Sequence, residues 1–317
     1  MLNLVSVPSD SVNSASTSLC SNIPTPDLSM WEAMKDSLTG MLEIFLTNDL
    51  MFKYSFQKNP YGLKGFLGAT LSIDPETIQS IIIENPTELG HAIDDKTLIL
   101  DLKITLNSNR IIDIEMQVDA QPSYPERALT YLCRAFDHLK IGEGYERILP
   151  CIQVSILCSD LFSKDDPRYT DAFYSEYAMK ERTTGKEYSS KFQIRVLSLK
   201  YLENADDKEN PNGLYQWAKL FVATKWEDVK AVVEKNDYMK SVASGIRVLA
   251  EDEKVRQACE AREKVLHDMA SRYHSGKEDG RAEGAAEKEQ ELLPIIQQKD
   301  AEIARLKALL SSTNKPI

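Results

Sequence analysis

No run of apolar residues in this sequence approaches the roughly 18 that a membrane-spanning helix requires, so a membrane partner is not expected. The N-terminus shows no basic stretch followed by an apolar one, which argues against Sec-type export. Cysteines are few and scattered: Cys20, Cys133, Cys151, Cys158 and Cys259 contain no Cys-x-x-Cys pair. That pattern argues against a zinc site or a disulfide framework and suits reduced thiols in a cytoplasmic protein. The four histidines, His91, His138, His267 and His274, never fall at i, i+4 on one helix, so no histidine metal pair is present. Positive charge is also in deficit, with 38 Lys and Arg against 49 Asp and Glu and a net charge of −11. A broad basic nucleic-acid surface is therefore disfavoured, because phosphate affinity comes largely from Lys and Arg. A local basic groove beside a metal site stays open, since the ion itself brings positive charge.

What the chain does have is apolar material for a large core. It is 42% hydrophobic over 317 residues, enough for more than one folded unit. The most informative stretch is Leu98–Val118. Leu98, Leu100, Leu102, Ile104 and Leu106 alternate with Asp101, Lys103 and Thr105, the period-2 signature of a strand. After Asn107-Ser108-Asn109, residues that tolerate turn geometry, Ile112, Ile114, Met116 and Val118 alternate with Asp113, Glu115 and Gln117. A three-residue loop pairing Leu106 with Arg110 places both polar sets on one face and sets Asp101 opposite Glu115, and a bulge would serve too. An Asp and a Glu on neighbouring strands make an oxygen-rich pocket for a hard divalent cation. Gln117, two residues beyond the Glu, projects from the same face and can orient water. An ordinary antiparallel hairpin with one solvated face explains the alternation equally well.

Along the rest of the chain, Met1–Pro26 is rich in Ser, Asn, Thr and Pro and reads as a disordered lead-in. Trp31–Leu50 has helical spacing through Met34, Leu38, Met41, Leu42, Phe45 and Leu46, and helix is expected to continue to Phe56. Gly62–Leu71 reads as another helix, and Ile78–Ile83 as a strand. Pro125 and Glu126 suit the first turn of a helix carrying Leu129, Leu132, Cys133, Phe136 and Leu139. Cys151–Leu157 and Phe192–Leu199 read as strands, separated by a charged, Tyr-rich segment without clear periodicity. From Leu214 the pattern is almost wholly helical. Gly276, Gly280 and Gly284 recur every four residues, and Pro294 is expected to break or kink the helix before it. Ile296, Lys299, Ile303, Leu306 and Leu310 then form a short coiled-coil-like seam, a candidate for homo-oligomerisation.

Several of these residues together carry a resemblance. Asp49-Leu50-Met51-Phe52-Lys53 followed by Phe56 resembles the D-x-x-F-K-x-x-F opening of the Rpn family of recombination-promoting nucleases and transposases, within the PD-(D/E)XK nuclease superfamily. The likeness continues through Glu84-Asn85-Pro86, Leu100-Asp101-Leu102-Lys103, Ile114-Glu115-Met116-Gln117, Gln121, Tyr124 and Arg127-Ala128-Leu129-Thr130-Tyr131. Further echoes lie at Phe192–Leu199, Trp217 and the Glu/Gly-rich helix, so the likeness covers about Met41 to Gly284.

The resemblance implies an α/β, restriction-endonuclease-like mixed sheet flanked by helices, with a C-terminal helical extension. It implies a metal-dependent DNA endonuclease using Mg²⁺ or Mn²⁺. Asp101 and Glu115 match the acidic metal ligands, and Gln117 matches the third motif position, where the superfamily usually has Lys. Gln carries no charge for the transition state, but it can orient water by hydrogen bonding. Asp49 matches an acidic position on the first helix; a metal contact and a plain helix-terminal Asp are both open there. Lys103 is a candidate for a phosphate contact or an ion pair with Glu115. Gln121 and Arg127 are candidates for positioning DNA. Tyr124, Tyr131 and Trp217 read as core rather than base-stacking groups. The expected organisation is a disordered segment 1–30, a nuclease-like domain 31–225, a helical extension 226–275, and a Gly/Glu-rich helix with a coiled-coil-like tail 276–317. The alternative function is a catalytically inactive nuclease-fold module that binds DNA or protein.

Overall fold

In a computed structural model of the protein, the described residues are 18–21, 23, 25–84, 102–118 and 121–313. Strands β1 (Ser18–Ser21), β2 (Ser80–Ile83), β3 (Leu102–Leu106), β4 (Arg110–Gln117), β5 (Cys151–Leu157), β6 (Tyr174–Lys180) and β7 (Glu187–Ser198) form one sheet. The helices are α1 (Ser29–Met34), α2 (Asp49–Gln57), α3 (Pro60–Leu71), α4 (Tyr124–Phe136), α5 (Leu214–Val222), α6 (Trp226–Val233), α7 (Asp237–Glu251) and α8 (Glu253–Thr313). Strand order is β1-β2-β3-β4-β5-β7-β6. Pairing is parallel at β4–β5 and β5–β7 and antiparallel elsewhere. Parallel neighbours need a crossover, and α4 supplies it between β4 and β5. The expected mixed sheet flanked by helices is therefore present.

The central hairpin closes as its turn residues require. Asn107 and Ser108 take φ of 49° and 53°, the left-handed region that Asn tolerates better than most residues. Leu106 pairs with Arg110, the expected register. The Asn107 side chain ties this turn to the start of β2, its Oδ1 accepting from the Gln79 amide at 2.8 Å. Over β3, β4 and β5 one sheet face is largely apolar. Leu102, Ile104 and Leu106, then Ile112, Ile114 and Met116, then Val154 and Ile156 join Leu50, Phe52, Phe66, Trp217 and Phe221 in one buried cluster. Helices α3 and α7 approach closely at Gly65, where a side-chain carbon would lie 2.4 Å from the Tyr238 side chain.

Three expectations are corrected. The helix expected over Trp31–Leu50 is only α1 plus a short 3-10 turn, and residues 38–48 are irregular. The helical course ends at Ser37, Leu38 being extended, and beyond it Gly40, at φ 80°, accepts through its carbonyl from the Trp226 amide at 2.9 Å. Leu38, Leu42 and Leu46 are buried by tertiary packing instead. The Tyr-rich segment holds strand β6, whose largely exposed residues give no apolar alternation to read. Ser18–Ser21, inside the segment expected to be disordered, pairs with β2 as an edge strand; residues 1–17 lie outside the described set.

The chain divides into two units, Met1–Glu260 and Ala261–Ile317. Residues set apart in sequence as a helical extension contribute Trp226, Val229, Met239, Val242, Ile246, Val255 and Cys259 to the core of the first unit. In the second unit, α8 runs on through Pro294 to Thr313, so Pro294 does not end the helix. A proline removes one helical hydrogen bond, while good helix formers on both sides propagate their own ladders. Nothing lies within 4 Å of a side-chain carbon placed at Gly276, Gly280 or Gly284. Leu292, Ile296, Ile303 and Leu306 are exposed.

A buried carboxylate beneath helix α4

The register of the hairpin decides which side chains meet. Lys103 pairs with Asp113 across β3–β4. Across β4–β5, Asp113 pairs with Gln153, Glu115 with Ser155 and Gln117 with Leu157. Because side chains alternate between faces, Lys103, Asp113, Glu115, Gln117, Gln153 and Ser155 share the face opposite the large apolar cluster.

That face is not solvated. Tyr124, Ala128, Leu132 and Ala135 recur on one side of α4, the spacing of a helical stripe. Leu132 and Ala135 pack on Ile111 and Cys151, while Tyr124 and Ala128 pack on Leu157 and Val196. Between these two apolar patches lies the polar row. Asp113 is 7% exposed, Glu115 2%, and Gln153 and Ser155 0%. The solvated-hairpin reading is thereby excluded.

Glu115 is held from two sides. The Arg127 Nη2 lies 2.5 Å from its Oε1, and the Tyr124 hydroxyl donates to its Oε2 at 3.2 Å. Burial, and next the charge of Glu115, push the Tyr124 phenol far above its ordinary pKa, so it stays protonated and remains a donor. Arg127 is half exposed and reaches in from the surface. Among the described residues neither the amide nitrogen nor the oxygen of Gln153 has a hydrogen-bond partner, a burial that costs about 1–3 kcal/mol.

The other sequence-predicted residues are distributed as follows. Asp101 lies outside the described residues, as do Asn85 and Pro86 of the motif. Gln117 is half-buried at the end of β4. Asp49 opens α2 and is buried, with Asn48 capping that helix through the Leu50 and Met51 amides. Gln121 is exposed, and its carbonyl accepts from the Tyr124 amide at 2.8 Å to start α4. Lys103 forms an ion pair with Glu84 at 2.8 Å, and Glu115 forms one with Arg127. The residue after β2 and the β3 strand are adjacent in the sheet, which brings Glu84 to Lys103. Burial alone raises the Glu84 pKa, but hydrogen bonds from Lys103 and Thr105 outweigh it and hold the carboxyl below its ordinary value. Tyr124 is core, as expected, yet its hydroxyl serves the site. Trp217 is fully buried core. Tyr131 lies under the Arg127 guanidinium, 5.4 Å from ring centroid to Cζ.

Sequence reasoning passed over the burial of Asp113, the role of Tyr124 and the row Gln153–Ser155. Lys53 is likewise buried, 1% exposed inside an apolar helix. Its signal was a lone Lys within Leu50–Phe56.

The donor types fit a hard divalent cation. Carboxylate, amide and hydroxyl oxygens surround Glu115, with no imidazole or thiolate required, which is the ligand chemistry of Mg²⁺ or Mn²⁺. Among the described residues no group of three or more His, Cys, Asp or Glu converges, and Asp101 lies outside them. The Arg127 guanidinium supplies the positive charge at Glu115 in this structure.

The chain belongs to the PD-(D/E)XK nuclease family transposases: the model of that family matches residues 46–276, in agreement with the resemblance read from sequence. No curated protein and no solved structure matches. Among the described residues no helix is long and apolar enough to cross a membrane.

Proposed function

We propose that this protein is a divalent-metal-dependent DNA endonuclease acting in the cytoplasm, with Glu115 at its centre. The observation that carries this reading is the burial of Glu115 to 2% exposure between Arg127 and Tyr124, on a dry polar stripe where sheet packing alone favours an apolar residue. A buried carboxylate is retained against a large desolvation cost, and its place in the family motif names the chemistry. Glu115 and Asp101 would hold the metal, with Asp49 as a further acidic contact. Asp101 is assigned from the sequence alternation and the family motif. The metal, Mg²⁺ or Mn²⁺, supplies Lewis-acid polarisation of a phosphate oxygen and acidifies water. Gln117 orients that water by hydrogen bonding through an uncharged amide. Arg127, half exposed, supplies the positive charge that Gln117 lacks and can meet a phosphate oxygen. Lys103 and Gln121 flank the same strand ends and complete the contact with DNA. Tyr124 fixes the Glu115 rotamer. The apolar seam of α8 pairs this chain with a second copy.

The test is plasmid nicking with Mg²⁺ or Mn²⁺, with and without chelator. Glu115→Gln should lower cleavage roughly 10³-fold, the equivalent of about 4 kcal/mol, with unchanged circular dichroism. Asp101→Asn should do the same, and the double variant should be scarcely worse, as expected for residues that act as a unit. Wild-type cleavage by either single variant overturns the reading. The second reading, a non-catalytic DNA-binding module, is favoured by the Arg127–Glu115 pair, which already neutralises the carboxylate, together with Gln117 in place of Lys. DNA binding without cutting in any metal would establish it.

A further inference from the structure

Beside the buried carboxylate lies a second feature that the motif does not account for. A pocket of about 120 Å³ opens between α4 and strands β5–β7, with Tyr124, Pro125, Ala128, Ser155, Phe162 and Tyr177 on its walls. We propose that this pocket receives one unpaired pyrimidine base of the DNA strand whose backbone lies against Glu115. The inference rests on the nuclease reading above and names its substrate more closely, as DNA with an unstacked nucleotide.

Size is the first argument. An apolar protein cavity of about 150 Å³ holds benzene; this pocket is of that order and open to solvent, which matches one six-membered ring better than a fused pair. The lining is the second. Phe162 and Tyr177 offer aromatic surface and Pro125 and Ala128 a flat apolar one, the combination on which unstacked bases lie. Phe162 is braced by Arg168, whose guanidinium carbon lies 4.3 Å from the ring centroid and which is itself paired bidentately with Asp166 at 2.9 and 2.7 Å. Polarity is the third. The wall is apolar but for the Tyr124 and Tyr177 phenols and the buried Ser155 hydroxyl, which suits the face of an unstacked ring.

Position is the fourth argument. Ser155 is the cross-strand partner of Glu115, and neighbouring strands lie about 4.8 Å apart. Tyr124 touches both, lining the pocket while donating to Glu115. A base seated here leaves its own phosphodiester within one nucleotide of the carboxylate. A base still stacked in a duplex cannot enter, because the pocket holds the ring alone. The arrangement therefore selects single strands, ends and distorted duplexes over intact duplex.

The experiment uses the full chain and measures binding by fluorescence anisotropy to oligo-dT, oligo-dA and an intact mixed-sequence duplex, alongside plasmid nicking. Oligo-dT should bind at least about 5-fold more tightly than oligo-dA. Phe162→Ala, and Ala128→Phe to fill the pocket, should each weaken oligo-dT binding about 5- to 100-fold, the range seen when a stacking partner is lost, and should abolish the dT preference. A single abasic residue scanned along oligo-dT should reproduce the loss at one position. If Ala128→Phe does not fold, the partly exposed Phe162→Ala carries the test. Equal dT and dA binding, with both folded variants within twofold of wild type and nicking intact, overturns the pocket and leaves the nuclease reading standing. Loss of the dT preference in the variants of a protein that never nicks supports the pocket and overturns catalysis. No binding to any DNA overturns both.

Discussion

The two faces of the central sheet are built from the same strands and are both covered at the middle of β4, yet their chemistry there is opposite. On one face Ile112, Ile114 and Met116 of β4 join the large apolar cluster. On the other, Asp113 and Glu115 lie beneath α4, equally buried. Burial of apolar groups follows from the hydrophobic effect and needs no functional cause. Burial of two carboxylates costs free energy that packing does not return, so the second face has to be explained by what it does. Alternation is shared by both faces; only burial separates a core from a site.

That comparison can be broken most sharply on the apolar side. Ile114→Ala should destabilise the protein by about 2–5 kcal/mol, read from urea unfolding, whereas Glu115→Gln one residue along should leave the denaturation midpoint nearly unchanged while removing cleavage. If the two variants lose stability alike, the faces are equivalent and the distinction fails. Next in size is Arg127→Ala. It removes the guanidinium from Glu115 and should cost about 1–3 kcal/mol. Added Mg²⁺ should raise the melting temperature of this variant more than that of the wild type, because the ion and the guanidinium neutralise the same carboxylate. A smaller Mg²⁺ response than wild type would show that Arg127 does not occupy the ion's place.

Gln153→Leu should raise stability by about 1 kcal/mol, since it replaces a buried amide that lacks hydrogen-bond partners among the described residues with an apolar group of similar size. A clear loss of stability would show that the amide supports Asp113. The smallest effect lies far from the site, in the β6–β7 turn. There Glu181 accepts from the Thr183 amide at 2.8 Å and the Thr184 amide at 2.6 Å. The hydrogen bond from the Thr184 hydroxyl, with those from the two amides, lowers its pKa from the usual 4.5 to about 2. A carboxyl lowered on folding stabilises the folded state above its unfolded pKa, and that contribution is lost as pH falls from 4.5 through about 2. A carboxyl-carbon titration of Glu181 by NMR should show its midpoint near the lower value; a midpoint near 4.5 would remove the turn contact.

Much of this was legible in the residues. The alternation in Leu102–Leu106 and Arg110–Gln117, with the loop Asn107–Asn109 between, specified the hairpin and offered the Leu106–Arg110 register that the structure shows, because a one-residue slip would put every apolar side chain on the wrong face. The same period placed Glu115 and Gln117 together. The strand Cys151–Leu157 and the α4 helix starting beside Pro125 were equally plain. Less legible were elements without an apolar rhythm. Edge strand β6 is held by pairing with β7 rather than by burial, and the Trp31–Leu46 stripe is apolar because residues 38–48 are packed from outside, not because they are helical.

By itself, then, the sequence determined which residues share a sheet face, where the turn falls and which family motif the chain carries, since those depend on short-range spacing and local backbone preference. Only the tertiary structure decided that the polar face is dry, because the cover comes from α4, whose stripe is read only once it lies over β4 and β5. Tertiary contacts likewise gave Glu115 to Arg127 and Tyr124, and Lys103 to Glu84. Partners of that kind are set by which strands and helices become neighbours, and that is a property of the folded chain rather than of any segment's period.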